Sequence, residues 1–121
     1  MKILAVLILS LPLLSNEKNY IYLDCGEETK TFEKRLLLLR VVPELEVETL
    51  DANLKWTKRE TLVNLDKYFF EGAYGFISLS RDTLELFVNI STTFQCSITS
   101  EDKVIKEIES IKNKKKANQK I

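Results

Sequence analysis

A lysine at position 2 precedes an unbroken apolar run over residues 3–9. Ser10, Leu11, Pro12, Leu13, Leu14 and Ser15 follow, and residues 16–19 turn abruptly polar. The run alternates with neither a two-residue nor a 3.6-residue period, so it has the pattern of neither a half-buried strand nor a surface helix. It is also about a dozen residues long, short of the roughly 20 that cross a bilayer as a helix, and Pro12 would interrupt such a span. A positive start, a short apolar core and a helix breaker before a polar stretch are the layout of a secretory signal. Residues 1–15 are therefore expected to be a signal peptide, cut after the small Ser15. The mature chain is then periplasmic or extracellular, with no transmembrane span after processing.

Beyond the leader the pattern is that of short strands. Ile21, Leu23 and Cys25 share a face if residues 20–25 are extended, and residues 26–30 read as a turn. Residues 31–42 admit a strand buried on both faces or the end of a helix. The pair Val41-Val42 before Pro43 favours the strand. Residues 44–50 alternate, with Leu45, Val47 and Thr49 on one side and Glu44, Glu46 and Glu48 on the other, as in a half-buried strand. Asp51-Ala52-Asn53 is a turn into a strand begun by Leu54, with Trp56 as its large core anchor. Residues 60–65 follow, then a turn at Asp66-Lys67. Tyr68-Phe69-Phe70 is a short aromatic strand closed by Glu71-Gly72-Ala73. Residues 74–79 and 83–90 flank the tight turn Ser80-Arg81-Asp82. In the second arm Leu84, Leu86, Val88 and Ile90 alternate with Glu85, Phe87 and Asn89, the clearest hairpin signal in the chain.

Residues 93–98 carry Cys96 on a strand with Phe94 and Ile98 on its face. One helix closes the chain. Thr99 or Ser100 caps it, Glu101 and Asp102 suit its first turn, and Val104, Ile105, Ile108 and Ile111 form one apolar stripe. The stripe is gone from Asn113, so residues 113–121 are expected to be a basic disordered tail. The fold class is mainly β: a small antiparallel barrel or sandwich with one C-terminal α-helix, a single domain over residues 16–112.

The chain has two cysteines, Cys25 and Cys96. In an oxidising compartment an isolated pair in a small domain is expected to bridge, and both fall on the apolar face of their strands. Net charge is zero overall but uneven. Residues 16–100 carry ten Lys or Arg against fourteen Asp or Glu, whereas residues 101–121 carry seven Lys against four acids. The basic end can add weak attraction to anionic polymers, short of specific nucleic-acid recognition.

There is no histidine. That excludes Ser-His-Asp and Cys-His catalysis and removes the commonest metal ligand. Two bridged cysteines build no zinc site, and Gly26, Gly72 and Gly75 are too scattered for a phosphate loop. No cofactor or metal is expected. Paired carboxylates remain a route to hydrolysis, with Asp24, Asp66, Glu71 and Asp82 as candidates. The stripe Glu44, Glu46 and Glu48 can meet calcium or a basic partner, or be the wet side of a strand. Asn89-Ile90-Ser91 matches the N-glycosylation pattern. Among the aromatics Tyr68, Phe69, Phe70, Tyr74 and Phe76, alternate ones must face outward, and one or two exposed rings near Gly72 and Gly75 would make a contact patch. The expected binding rim is Tyr68, Phe70, Tyr74 and Arg81. These features point to a monomeric, non-enzymatic binding or structural module of the cell envelope, meeting a protein or an envelope polymer. A small carboxylate-dependent hydrolase is the alternative.

Residues 77–86, Ile77-Ser78-Leu79-Ser80-Arg81-Asp82-Thr83-Leu84-Glu85-Leu86, followed by Phe94-Gln95-Cys96, resemble a loose group of small exported bacterial and phage-encoded proteins. These carry an early Cys after an aromatic-rich strand, an Ile-x-x-x-Arg-x-Thr-x-x-Leu hairpin, and a late Cys after an aromatic residue. The likeness covers residues 20–98 and implies a small disulfide-closed β fold with no known activity. A more distant likeness is to periplasmic lysozyme-inhibitor barrels, which also tie an early to a late cysteine. This chain lacks their central Ser-Gly-x-x-Tyr type motif and has Glu71-Gly72-Ala73-Tyr74 instead.

Overall fold

In the computed structural model, which describes residues 19–89 and 91–121, ten short strands and one helix form largely where the alternation places them. Residues 1–15, expected as a leader, and Ile90 lie outside the described residues. In chain order the elements are β1 (Ile21–Asp24), a 3-10 turn (Lys34–Leu37), β2 (Leu38–Val42), β3 (Glu46–Leu50), β4 (Trp56–Arg59) and β5 (Thr61–Val63). They continue with β6 (Lys67–Gly72), β7 (Gly75–Ser80), β8 (Glu85–Val88), β9 (Thr92–Gln95), β10 (Ser97–Thr99) and α1 (Glu101–Ala117).

All pairings are antiparallel, in two five-stranded sheets ordered β10-β1-β2-β3-β4 and β5-β6-β7-β8-β9. The chain changes sheet twice, at Glu60 between β4 and β5 and at Cys96 between β9 and β10. At each place one run of extended chain serves both sheets, as at the corners of a sandwich. The ladder breaks at those corners, so the sheets stack and do not close into a barrel.

The space between the sheets is filled from both sides. Leu23, Leu39, Val41 and Val47 come from the first sheet, and Tyr68, Phe70, Leu79, Leu86 and Val88 from the second. Phe32 and Leu37 plug one end beside the Cys25–Cys96 bridge, whose Cα atoms are 3.8 Å apart. A second core lies on the other side of the first sheet. There Tyr22, Leu38 and Leu50 pack against Val104 of α1, with Tyr20, Leu54, Trp56, Ile108 and Ile111 around them. This second layer corrects the alternation reading of residues 44–50. Glu48 is 3% exposed, on the face that carries this second layer, where Arg40 meets it from between the rings of Tyr20 and Trp56. It is charge-paired with Arg40 at 2.7 Å. Glu44 and Leu45 fall in the turn before β3, so the three glutamates form no wet stripe.

Three further readings are adjusted. Residues 31–42 hold both a single 3-10 turn and a strand, with no longer helix. Helix α1 is capped by Ser100, whose hydroxyl accepts from Lys103 N at 3.2 Å, and it runs to Ala117. The expected disorder from Asn113 is therefore not seen over residues 113–117. Lysines are good helix formers, and Lys114, Lys115 and Lys116 complement the negative end of the helix dipole. Ile105, assigned to the apolar stripe, points away from the sheet and is half exposed.

Tyr22 ties α1 to β1 by donating its hydroxyl to Glu101 at 3.1 Å. Burial, together with the Glu101 carboxylate and against the pull of Arg40, holds the phenol above the ordinary tyrosine pKa. The fold thus favours the neutral phenol. Its stabilisation is complete below the unfolded value near pH 10 and is lost as pH rises through the folded one. Urea midpoints measured from about pH 8 to 11 are expected to fall less steeply in Tyr22→Phe than in the wild type. Parallel curves would exclude Tyr22 as the alkaline trigger.

Candidate functional site

The four residues of the expected rim are not one surface. Tyr68 and Phe70 face the core at 6% and 3% exposure. Tyr74 sits at the β6–β7 turn with its ring edge-on to Phe32, centroids 4.8 Å apart. Gly75 follows at φ +109°, a conformation that suits glycine, and Asn89 Nδ2 closes the turn by donating to the Tyr74 carbonyl at 3.0 Å. Arg81 follows the last residue of β7, at the opposite end of the same hairpin. It stands 5.0 Å from the centre of the Tyr68 ring, pairs with Glu44 and donates to the Asn64 carbonyl at 2.6 Å. The structure therefore brings Tyr68 and Arg81 together and leaves Tyr74 elsewhere. Arg81 joins the β2–β3 turn to the β5–β6 turn and holds the two sheets at that end. The hydrogen bond to Glu44 raises its pKa further above the ordinary guanidinium value.

The exposed aromatic surface lies on the outer face of the second sheet. Tyr68 and Phe70 point inward, so Lys67, Phe69 and Glu71 must point outward along β6. The ladder registers Phe69 with Leu62 on β5 and Ser78 on β7, and Ser78 with Phe87 on β8. Phe76 stands opposite Glu71 on the same face. Phe76 is 75% exposed and Leu62 is 69% exposed. A shallow groove of about 540 Å³ runs beside these rings. Leu62, Phe69 and Phe76 supply its apolar surface, and Lys58, Glu60 and Glu71 its charged border. Lys67 Nζ lies over this face, 5.7 Å from the Phe87 ring and 6.0 Å from the Phe69 ring. An apolar centre with a mixed-charge border is the anatomy of a protein contact surface.

Sequence reasoning missed this face for one reason. It kept Tyr68 and Phe70 as contact residues when the alternation required them and Phe69 to point opposite ways. Placing Leu79 and Ile77 inward in the adjoining strand would have put Ser78 and Phe76 outward.

The other chemical candidates are differently placed. Asp24 accepts from Lys34 Nζ at 2.7 Å and from Gly26 N at 3.0 Å. Asp66 and Asp82 are exposed on turns, and Glu71 is exposed on the outer sheet face. Among the described residues no group of three or more His, Cys, Asp or Glu is placed to hold a metal ion. A groove of about 410 Å³ separates the end of α1 from the loop after β1, with Glu27, Glu28 and Glu33 across from Lys114 and Lys115. It contains a single apolar contributor, Ile111, and reads as a solvated seam of opposite charges. Among the described residues no helix is long and apolar enough to cross a membrane.

Compared with protein-family models, with curated proteins and with solved structures, the chain finds no match in any of the three.

Proposed function

We propose that the protein is an exported, non-enzymatic binding module whose contact surface is the outer face of the second sheet, centred on Phe69 and Phe76. The observation that carries this reading is the unequal treatment of the two sheets. The outer face of the first is roofed by α1, while the outer face of the second leaves Leu62, Phe69 and Phe76 to solvent. Clustered exposed rings with a charged border mark interaction surfaces in small domains. Export is supported by the leader pattern and by the Cys25–Cys96 bridge, which belongs to oxidising compartments. The expected rim at Tyr68, Phe70 and Arg81 gives way to this face because those side chains serve the core and the sheet ends.

The test uses tagged protein purified after export and incubated with envelope extract, as wild type and as Phe69→Ser/Phe76→Ser. Both rings lie outside the two cores, so the variant is expected to melt within about 1 kcal/mol of the wild type. One stoichiometric protein partner held by the wild type and weakened at least about tenfold in the variant is the expected result. Equal capture by both would overturn the surface assignment. Hydrolysis of an envelope polysaccharide that is lost on replacing Asp24 or Glu71 would overturn the non-enzymatic reading.

A further inference from the structure

Resting on that assignment of the contact surface, we propose that its occupant is a second copy of this chain, packed face to face about a two-fold axis that crosses β6 and β7 near Phe69 and Ser78. The surface is self-complementary in charge. Lys67 and Glu71 lie on the same side of β6, each two residues from Phe69. A two-fold axis lying between the sheets and perpendicular to the strands reverses β6 against its copy. Lys67 of each chain then faces Glu71 of the other, twice over. Among the described residues neither Glu71 nor the Lys67 ammonium has an ion-pair partner within its own chain, and that ammonium approaches the Phe69 and Phe87 rings.

The surface is also self-complementary in shape. Along β7 the outward residues are Phe76, Ser78 and Ser80, a large side chain at one end and small ones at the centre and the other end. The same rotation lays Phe76 of each copy over Ser78 and Ser80 of its partner, and Phe69 against Phe69 at the axis. Stacked sheets stand about 10 Å apart, which leaves room for one layer of interdigitated rings. A uniformly basic or acidic partner fits poorly, because Lys58 and Lys67 share the face with Glu60 and Glu71. Such an isologous contact is the commonest form of homodimer. The face spans about 20 Å by 20 Å from strand spacing and rise, a modest area, so association in the micromolar to submillimolar range is expected.

The test is sedimentation equilibrium of the exported protein from about 1 μM to 1 mM, as wild type, Lys67→Glu, Glu71→Lys and the double reversal. Each single reversal places like charges together at two symmetric positions and is expected to weaken the dimer by about tenfold or more. The double reversal is expected to return it to near the wild-type value. An equimolar mixture of the two single variants is expected to form heterodimers, since both contacts are then opposite in sign. A wild-type chain that stays monomeric at about 1 mM, or a dimer indifferent to all three variants, overturns the proposal. If the monomer still captures a different protein through Phe69 and Phe76, the contact surface stands and only its occupant was misassigned. If that capture also fails, the proposed function falls with the dimer.

Discussion

Replacing Cys25 and Cys96 together by alanine is expected to lower the unfolding free energy by about 4 kcal/mol. The bridge joins positions 71 residues apart, so it closes most of the described chain into one loop. Opening a loop of that length returns a large conformational entropy to the unfolded state, and the logarithmic dependence on length gives the magnitude. Cys96 sits at the corner where the chain passes from β9 to β10, and Cys25 lies just beyond β1. The backbone N–H of Cys96 also donates to the Leu84 carbonyl at 2.9 Å, and that of Cys25 to the Leu37 carbonyl at 2.8 Å. The bridge therefore pins a corner whose ladder is interrupted. Domains of this size hold about 5–15 kcal/mol in all, so the loss is a large share of the total. In urea the midpoint is expected to drop by about 2 M or more. A midpoint unmoved by the double replacement would show that the corner is held by packing alone.

The second large effect is expected at Arg40 and Glu48, the charged pair on the outer face of the first sheet. Arg40 lies between two rings, its guanidinium carbon 3.9 Å from the centre of Tyr20 and 4.7 Å from that of Trp56, and it meets Glu48 at 2.7 Å. Burial opposes the charge on Arg40 more than any single contact favours it, but the hydrogen bonds to Glu48 and Tyr22 and the attraction of the Glu48 charge together keep its pKa above the ordinary guanidinium value. Removing one partner leaves the other charge in a place where water solvates it poorly. Arg40→Met strands the nearly inaccessible Glu48 carboxylate and is expected to cost about 3–5 kcal/mol. Glu48→Leu is expected to cost less, because Arg40 keeps its two rings and partial access to solvent. Arg40→Met/Glu48→Leu replaces the pair by apolar groups and is expected to recover most of the loss. The measurement is a double-mutant cycle from urea unfolding. Additive losses in the double variant would show that the two residues act independently.

The period of the pattern was legible in the sequence, and so was most of what depends on it. Alternation along residues 83–88 and a turn at Ser80-Arg81-Asp82 specify the β7–β8 hairpin, because side chains on a strand have only two faces to occupy. Ser100 followed by two acids and an apolar stripe specifies the start of α1 through backbone N–H groups that need acceptors. Two cysteines on apolar faces specify the bridge, since no other thiol competes.

What the chain by itself left open was which neighbour each face meets. Alternation shows that Tyr68 and Phe69 point opposite ways but not which of them points inward, and that choice decides the contact surface. It shows Glu48 opposite Val47, but a strand does not reveal that Arg40 of the neighbouring strand, held between Tyr20 and Trp56, will meet its polar side. That packing turns an apparent solvent stripe into a buried ion pair with Arg40. The strands were likewise compatible with a barrel or a sandwich. The choice was made at Glu60 and Cys96, where extended chain bends from one sheet into the other, an event governed by packing across the core and not by any local pattern. Local sequence determined the period and ends of the elements, because those follow from backbone hydrogen bonding and side-chain spacing. Tertiary structure decided burial and exposure, because burial belongs to pairs of surfaces and the second surface comes from distant residues.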